Sequence, residues 1–151
     1  MLREQFSEAL KQAMKGKDPL TVSTVRLIIA KLKEVDIEAR GRGKTEPVGD
    51  GEIQQMLQSM IKQRRESITL YEQGKRLDLA DKERGEIGII ERFLPQQLSE
   101  AELETAAKTA IAALGAQGMK DMGRVMAALK EQHAGQMDGA KASQVVKRLL
   151  A

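Results

Sequence analysis

Four carboxylates that stand close together in the sequence are the first candidates for chemistry. They are Asp78, Asp81, Glu83 and Glu86. Such a group could bind a hard cation or act as an acid and base pair. Lysines and arginines alternate with them, so acidic residues at a helix start and opposite charges along the helix explain the same pattern without chemistry. We assign no catalytic residue, and an enzyme stays a hypothesis that requires at least two of these side chains in one concave site.

Lysine and arginine side chains form a second kind of candidate site. In the run Lys62-Gln63-Arg64-Arg65-Glu66-Ser67 three cations share one helical turn, and Glu66 cannot neutralise them all, so phosphate could dock there. A solvated helix face with pairs such as Lys62 and Glu66, each worth about 0.2–0.5 kcal/mol, gives the same pattern. The last predicted helices carry more cations: Lys120, Arg124, Lys130, Lys141, Lys147 and Arg148. Both interpretations stay open for both groups.

The composition excludes several classes of site. The chain has no cysteine, which rules out disulfides, thiolate zinc sites and a cysteine nucleophile, and its single histidine, His133, rules out multi-histidine metal centres. The run Gly41-Arg42-Gly43-Lys44 lacks the preceding strand and the immediate helix start of a phosphate-binding loop. We therefore expect no metal and no cofactor.

Apolar residues at helical spacing predict an all-α protein of seven helices that position these side chains. The first helix runs from about residue 2 to 15 and ends where Gly16 can adopt a left-handed conformation. Asp18 and Pro19 start the second helix. Residues 41–51 contain Pro47, four glycines and no apolar period, which predicts a solvent-exposed mobile loop.

The third helix begins at Asp50, and Gly74 can end it. Tyr71 ends its apolar stripe, where a buried hydroxyl needs a polar partner, and Arg64 intrudes on that stripe as a packed or paired cation. Asp78 and the residues after it offer an N-cap for the fourth helix, and Pro95 predicts a boundary just before it.

Ser99 followed by Glu102 is a capping box that predicts a sharp start for the fifth helix. Two shorter helices follow, separated near Gly135. We predict an N-terminal domain of about four helices over residues 1–95 and a compact three-helix tail domain over residues 96–151.

The charge balance mildly favours an anionic partner, since 25 basic residues outnumber 22 acidic ones. Acidic residues near the start of the chain interrupt the apolar stretch that a signal peptide needs. The longest uncharged run, residues 109–119, is well short of the roughly 18 apolar residues of a membrane span. We expect a cytoplasmic protein with no membrane contact.

Several runs of the chain together resemble the GatB/YqeY family, and in particular its stand-alone YqeY-like proteins. They are Val25-Arg26-Leu27, KQRRES at 62–67 with Tyr71, GKRLDLADKERGE at 74–86, FLPQQLSEAEL at 93–103, KDMGRVMAALK at 120–130 and DGAKASQVVKRLL at 138–150. They stand in the family's order and span nearly the whole chain. One departure is Ala127, where the tail motif has Gly, and this alters how closely two helices can approach.

The resemblance implies an all-helical protein with a three-helix tail similar to the end of the B subunit of tRNA-dependent amidotransferases. Those enzymes convert Glu-tRNA(Gln) or Asp-tRNA(Asn) to the amide form, and their helical and tail portions are implicated in holding tRNA. The kinase-like and amidase domains that do the chemistry have no counterpart here. The family label of a carbon-nitrogen ligase with glutamine as amido donor therefore applies by kinship, without autonomous catalysis.

Residue by residue, the resemblance assigns structural roles in the tail. Asp121 and Asp138 match positions that suit helix N-caps, Gly123 suits close packing, and Gly139 belongs to the same motif. The tail cations expected to touch phosphate are Lys120, Arg124, Lys141 and Lys147, and Lys62 and Arg65 are the candidates on the third helix.

The sequence thus supports two leading hypotheses. The first is an accessory protein that binds tRNA or other structured RNA, rather than DNA, by contacts to the backbone, because the three aromatic residues are too few for base stacking. The second is a protein-interaction module that docks through apolar helix surface to an amidotransferase, an aminoacyl-tRNA synthetase or similar machinery, without direct RNA binding.

Overall fold

A computed structural model describes residues 1–151 and contains seven α-helices, one short 3-10 helix and no strand. This confirms the all-α class and the number of helices. The helices are α1 (Leu2–Lys15), α2 (Pro19–Gly41), α3 (Asp50–Gln73), α4 (Leu77–Glu91), α5 (Glu100–Leu114), α6 (Met122–Gln132) and α7 (Gly139–Leu150), and the 3-10 turn is Met119–Asp121. None of these helices combines the length and the apolar character needed to cross a membrane.

The chain forms two compact units, Met1–Leu94 and Pro95–Ala151. In the first unit α1 to α4 bury one aliphatic core, whose largest fully buried members are Phe6, Ile28, Ile53, Leu57 and Ile90. The ring of Phe6 also meets that of Phe93 edge-on, with centroids 4.9 Å apart. The apolar stripes read from the sequence are thus the faces that these helices turn inward.

Val48 is the one buried residue of the segment between α2 and α3. Arg3 makes a two-pronged ion pair with Asp36 at 2.8 and 2.9 Å and donates to the carbonyl of Val48 at 2.9 Å. Asp36 in turn accepts the backbone N–H of Val48 at 3.0 Å, and the Val48 side chain is buried. The prediction of a solvent-exposed loop is therefore wrong at Val48, since apolar periodicity cannot detect one isolated buried residue.

Helices α1 and α3 end in the same way, with a lysine in the left-handed conformation. Lys17 has φ 53° and Lys75 has φ 59°, whereas Gly16 and Gly74 keep right-handed φ values of −79° and −82°. The next N–H after each lysine reaches back to a carbonyl in the last helical turn. The expected left-handed Gly16 is thus wrong by one residue.

The second unit packs α5, α6 and α7 around a separate core that contains Leu103, Ala107, Val125, Leu129 and Val146. The predicted capping box is confirmed: Ser99 Oγ accepts the N–H of Glu102 at 3.1 Å, and Glu102 accepts the N–H of Ser99 at 3.1 Å. At the other end of α5, Gly115 takes the left-handed conformation with φ 62°.

The predicted N-cap of α4 is wrong. The helix begins at Leu77 with Arg76 in the cap position and no side-chain cap bond, and Asp78 lies inside the first turn. There the carboxylate of Asp78 forms an ion pair with Arg76 at 3.2 Å instead of capping the helix. The sequence predicts a helix boundary just before Pro95, which is half-buried. The helix ends at Glu91, a few residues before this proline, in agreement with the prediction.

The capping box predicts the effect of a single substitution. Ser99→Ala removes one acceptor from the start of α5, and we expect it to lower the free energy of unfolding of the second unit by about 1 kcal/mol. Thr105→Ala is the matched control, because this exposed threonine lies inside α5, donates to the carbonyl of Ala101 and caps nothing. Amide hydrogen exchange in α5 measures both; equal protection in the two variants would contradict the prediction.

Candidate functional site

Arg64 and Glu86 form a buried ion pair between α3 and α4. Arg64 Nε donates to Glu86 Oε2 at 2.8 Å and lies 4.0 Å from Glu83 Oε2, while Arg64 Nη1 donates to the carbonyl of Met60 at 3.2 Å. Glu86 is 7% exposed. The sequence predicts a packed or paired arginine here, and the structure shows Arg64 to be paired. The pair joins the KQRRES run to the acidic run on the next helix.

Glu83 is the third member of this cluster, and its negative charge is less well stabilised than that of Glu86. Burial raises the pKa of its carboxyl, the charge of Glu86 raises it further, and Arg64 offsets part of that rise. Arg64 gives its short hydrogen bond to Glu86, so Glu83 bears the repulsion of its neighbour without an equally close cation. The ionised form of Glu83 is thus disfavoured in the folded protein.

The four carboxylates do not meet in one place. Only Glu83 and Glu86 converge, on Arg64, whereas the side chains of Asp78 and Asp81 are 68% and 74% exposed. Asp78 pairs with Arg76, and Asp81 pairs with Arg84 at 2.7 Å. The two inner carboxylates hold α3 against α4, and the two outer ones neutralise cations of their own helix region.

The candidate cations on α3 face outward. Lys62 and Arg65 are both exposed. Lys62 lies on the side of α3 away from the buried Leu57, whereas Arg65, four residues after the buried Ile61, lies at the edge of the buried stripe. Arg65 also lies 3.8 Å from Glu91 of α4, with both side chains more than two-fifths exposed. A pair so exposed leaves the guanidinium accessible to a solvent-borne anion.

Arg124 differs from the other candidates in the tail because it is held by its own unit. It pairs with Asp121 at 2.9 Å and also reaches the carbonyl of Leu114 at 3.4 Å. Asp121 occupies the N-cap position of α6 but caps it with no side-chain bond; its carboxylate accepts the N–H of Gln117 at 3.0 Å instead. That bond and the pair with Arg124 lower the pKa of Asp121.

Lys120, Lys141 and Lys147 are exposed and make no ion pair within the protein. Lys141 and Lys147 are six residues apart on α7, which places them about 120° apart around the helix axis. Lys141 instead shares a stripe with Arg148, seven residues on, which pairs with Glu104 at 3.3 Å. These lysines therefore flank the outer side of α7 rather than forming one row.

The remaining tail motif residues have varied environments. Asp138 caps α7 as predicted, by accepting the N–H of Ala140 at 2.8 Å. The close packing expected at Gly123 is wrong: Gly123 is exposed, and a Cβ there would meet nothing within 4 Å. Gly139 is equally open, and Ala127 is exposed, so the departure at Ala127 changes no helix approach.

Several ordering contacts have no sequence signal. Gln97 donates to the carbonyls of Pro95 at 3.1 Å and Gly135 at 2.6 Å, which fastens the start of the second unit to the turn before α7. His133 is the C-cap residue of α6, and its Nδ1 lies 3.3 Å from Oε1 of Gln136. Tyr71 is half-buried near the end of α3. Only tertiary packing brings Gln97 and Gly135 together.

Comparison with known proteins gives matches over most of the chain. The family model described as Yqey-like protein matches residues 3–150. "Altered inheritance of mitochondria protein 41, mitochondrial" of Lachancea thermotolerans is 33% identical over 99 residues, 66% of this chain and 51% of that protein. The protein of the same name from Kluyveromyces lactis is 32% identical over 88 residues, 58% of this chain and 45% of that protein. The chain thus spans about half the length of these curated relatives.

The Arg64 cluster predicts opposite effects for two neighbouring glutamates. Because the pKa of Glu83 is raised on folding, its ionised form lowers stability at neutral pH, and the loss is recovered as pH falls through that raised pKa. Glu83→Gln should therefore raise the melting temperature at pH 7, by an amount that shrinks toward pH 4. Glu86→Gln should lower the free energy of unfolding by about 2 kcal/mol, since it weakens a hydrogen bond between charged groups.

Thermal unfolding of both variants, followed by circular dichroism at several pH values, checks this pair of predictions. Glu91→Gln is the control, because its contact with Arg65 is exposed. Destabilisation by Glu83→Gln at pH 7 would contradict the assignment of Glu83 as the disfavoured charge.

Proposed function

The chain belongs to the family of Yqey-like proteins, and from this premise we propose that it is an accessory protein that binds structured RNA, with tRNA as the first candidate. The resemblance of its tail to the end of the amidotransferase B subunit supports this choice of ligand. The proposal assigns the contacts to the phosphate backbone.

The observation that carries the proposal is the set of unpaired cations on the second unit. Lys120, Lys141 and Lys147 are exposed and free of ion pairs, whereas Arg124 and Arg148 are engaged with Asp121 and Glu104. An unpaired exposed lysine can release counterions from phosphate without first breaking a contact of its own. These three lysines are therefore the principal contacts, and Arg124, Lys62 and Arg65 are secondary ones.

The aromatic residues favour recognition of shape rather than of bases. Phe6 is buried and Phe93 packs against it in the first unit. Tyr71 is half-buried, and the second unit has no aromatic residue. Without rings on which bases can stack, an RNA-binding surface of this chain must rely on phosphate contacts and on the form of a folded RNA.

The proposed role is one of holding RNA and not of amide transfer. Of the four candidate carboxylates, the two that meet are bound to Arg64 and the other two are exposed beside arginines. The ligase label of the wider family then describes kinship with an enzyme whose chemistry lies in other domains. A cytoplasmic location remains our expectation for this chain, and the curated relatives carry "mitochondrial" in their names.

Docking to another protein is the second candidate function, favoured by large apolar side chains exposed on the first unit. Ile37, Leu70 and Leu77 are 65%, 67% and 62% exposed. Apolar groups in such positions are available to a partner of the aminoacylation or amidotransferase machinery. Binding to a purified amidotransferase or synthetase that survives ribonuclease treatment would favour this function over RNA binding.

Titration of fluorescent tRNA at several salt concentrations tests RNA binding. We expect log K to fall linearly with log salt, and the double variant Lys120→Ala with Lys147→Ala to reduce the slope by about 1.5, since each phosphate contact contributes roughly 0.7–0.9. Lys11→Ala with Lys33→Ala is the charge-matched control, because both lysines are exposed on the first unit. No binding near 50 mM salt, or equal slopes for the two double variants, would refute the proposed contacts.

A further inference from the structure

An open groove of about 780 Å³ lies at the corner between α1 and α2. Its apolar lining includes Ala13 and Met14 from the end of α1 and Pro19, Val22 and Leu27 from the first turns of α2. The core-facing residues of α2, such as Val25 and Ile28, point elsewhere and are fully buried. The groove thus lies on a second side of α2, where Ser23 and Arg26 interrupt the apolar residues between Val22 and Leu27.

Two large apolar side chains in the groove remain in water. Met14 is 53% exposed and Leu27 is 48% exposed, and both line the same concavity. Single exposed apolar residues are normal, but large apolar side chains that share one concave site are typical of a surface that binds a partner. Between Pro19 and Leu27, α2 rises about 12 Å, which matches two turns of an apposed helix.

The charged residues that line the groove indicate the sign of the charge that a partner should carry. Lys17 and Arg26 line it, are exposed and make no ion pair within the protein. The one acid of the lining, Asp18, keeps its negative charge: its carboxylate accepts the hydroxyl of Thr21 at 2.7 Å and the N–H of Thr21 at 3.2 Å, and these bonds lower its pKa. The charge of Arg92 acts on Asp18 as well. The lining therefore carries two cations against one anion, which leaves an excess of one positive charge beside the apolar side chains.

Lys17 reaches the groove through an uncommon backbone conformation. With φ 53° it stands in the left-handed position of the α1 terminus, where glycine is the usual residue, although Gly16 directly precedes it. The backbone thus places an ammonium group beside the groove at a position that glycine would fill with less strain.

We propose that this groove binds an acidic amphipathic helix of a partner protein. Apolar side chains of that helix at i, i+3 or i+4, and i+7 fill the space over Val22 and Leu27, and its carboxylates pair with Lys17 and Arg26. RNA fits the groove less well, since an aliphatic floor offers no ring to its bases. The proposal rests on the second candidate function, docking to a protein, and is independent of RNA binding.

The test uses two fluorescein-labelled peptides of 14 residues with leucine at i, i+3, i+4 and i+7. One carries glutamate at its remaining positions and the other carries lysine. We expect the acidic peptide to bind the full chain at least tenfold more tightly in fluorescence anisotropy, and to shift the methyl resonances of Met14, Val22 and Leu27 in NMR spectra. Equal affinities, or shifts confined to other residues, would overturn the proposal.

Variants separate the groove from the rest of the surface. Leu27→Asp should lower the affinity of the chain for the acidic peptide at least tenfold, and Lys17→Gly should lower it about threefold. Lys17→Gly should not lower the melting temperature. Ala30→Asp is the matched control, because this exposed residue lies on the same helix and outside the groove. A dimer of the unmodified chain that Leu27→Asp dissociates would show a second copy as the occupant and would also overturn the proposal.

The same variants distinguish a failure here from a failure of RNA binding. Leu27→Asp should leave the affinity for tRNA unchanged, and the Lys120→Ala with Lys147→Ala variant should leave the affinity for the acidic peptide unchanged. Loss of both affinities in either variant would contradict separate sites.

Discussion

An amphipathic helix is stable in water only when its apolar face is covered, and this constraint decides where each cation of the chain can lie. With three aromatic residues in 151, the cover comes almost entirely from leucine, isoleucine, valine, alanine and methionine on neighbouring helices. Two separate cores satisfy the constraint, one in each unit. Once they are closed, lysines such as Lys141 and Lys147 have only the outer surface available.

Arg64 is the exception that shows how the constraint is met when a cation falls on the inner side of a helix. Its charge is tolerated because Glu86 neutralises it at 2.8 Å and the carbonyl of Met60 takes a further N–H. The pair thereby links the facing sides of α3 and α4. Glu83, brought near by the same geometry, bears the repulsion, as its raised pKa shows.

Features governed by residues close together in sequence were predictable, and those governed by tertiary contacts were not. The bonds of Ser99 with Glu102 and of Asp18 with Thr21 span three residues each, so sequence spacing alone indicates them. Burial of Glu86 depends on Arg64 of another helix, and burial of Val48 depends on Arg3, 45 residues away. Spacing places the candidate cations on helices, but only the fold distinguishes Arg124, which pairs with Asp121, from Lys147, which makes no ion pair.

The anchoring of Val48 has a consequence for the short connection between α2 and α3, which contains Lys44. Arg3 and Asp36 fix both peptide groups of Val48, and the N–H of Lys44 bonds to the carbonyl of Ala39, so both ends of this short connection are already immobilised. These hydrogen bonds restrict the backbone at both ends of the connection, so part of its conformational entropy is already lost on folding. The same length of chain without these bonds would pay that entropy at every excursion of its ends.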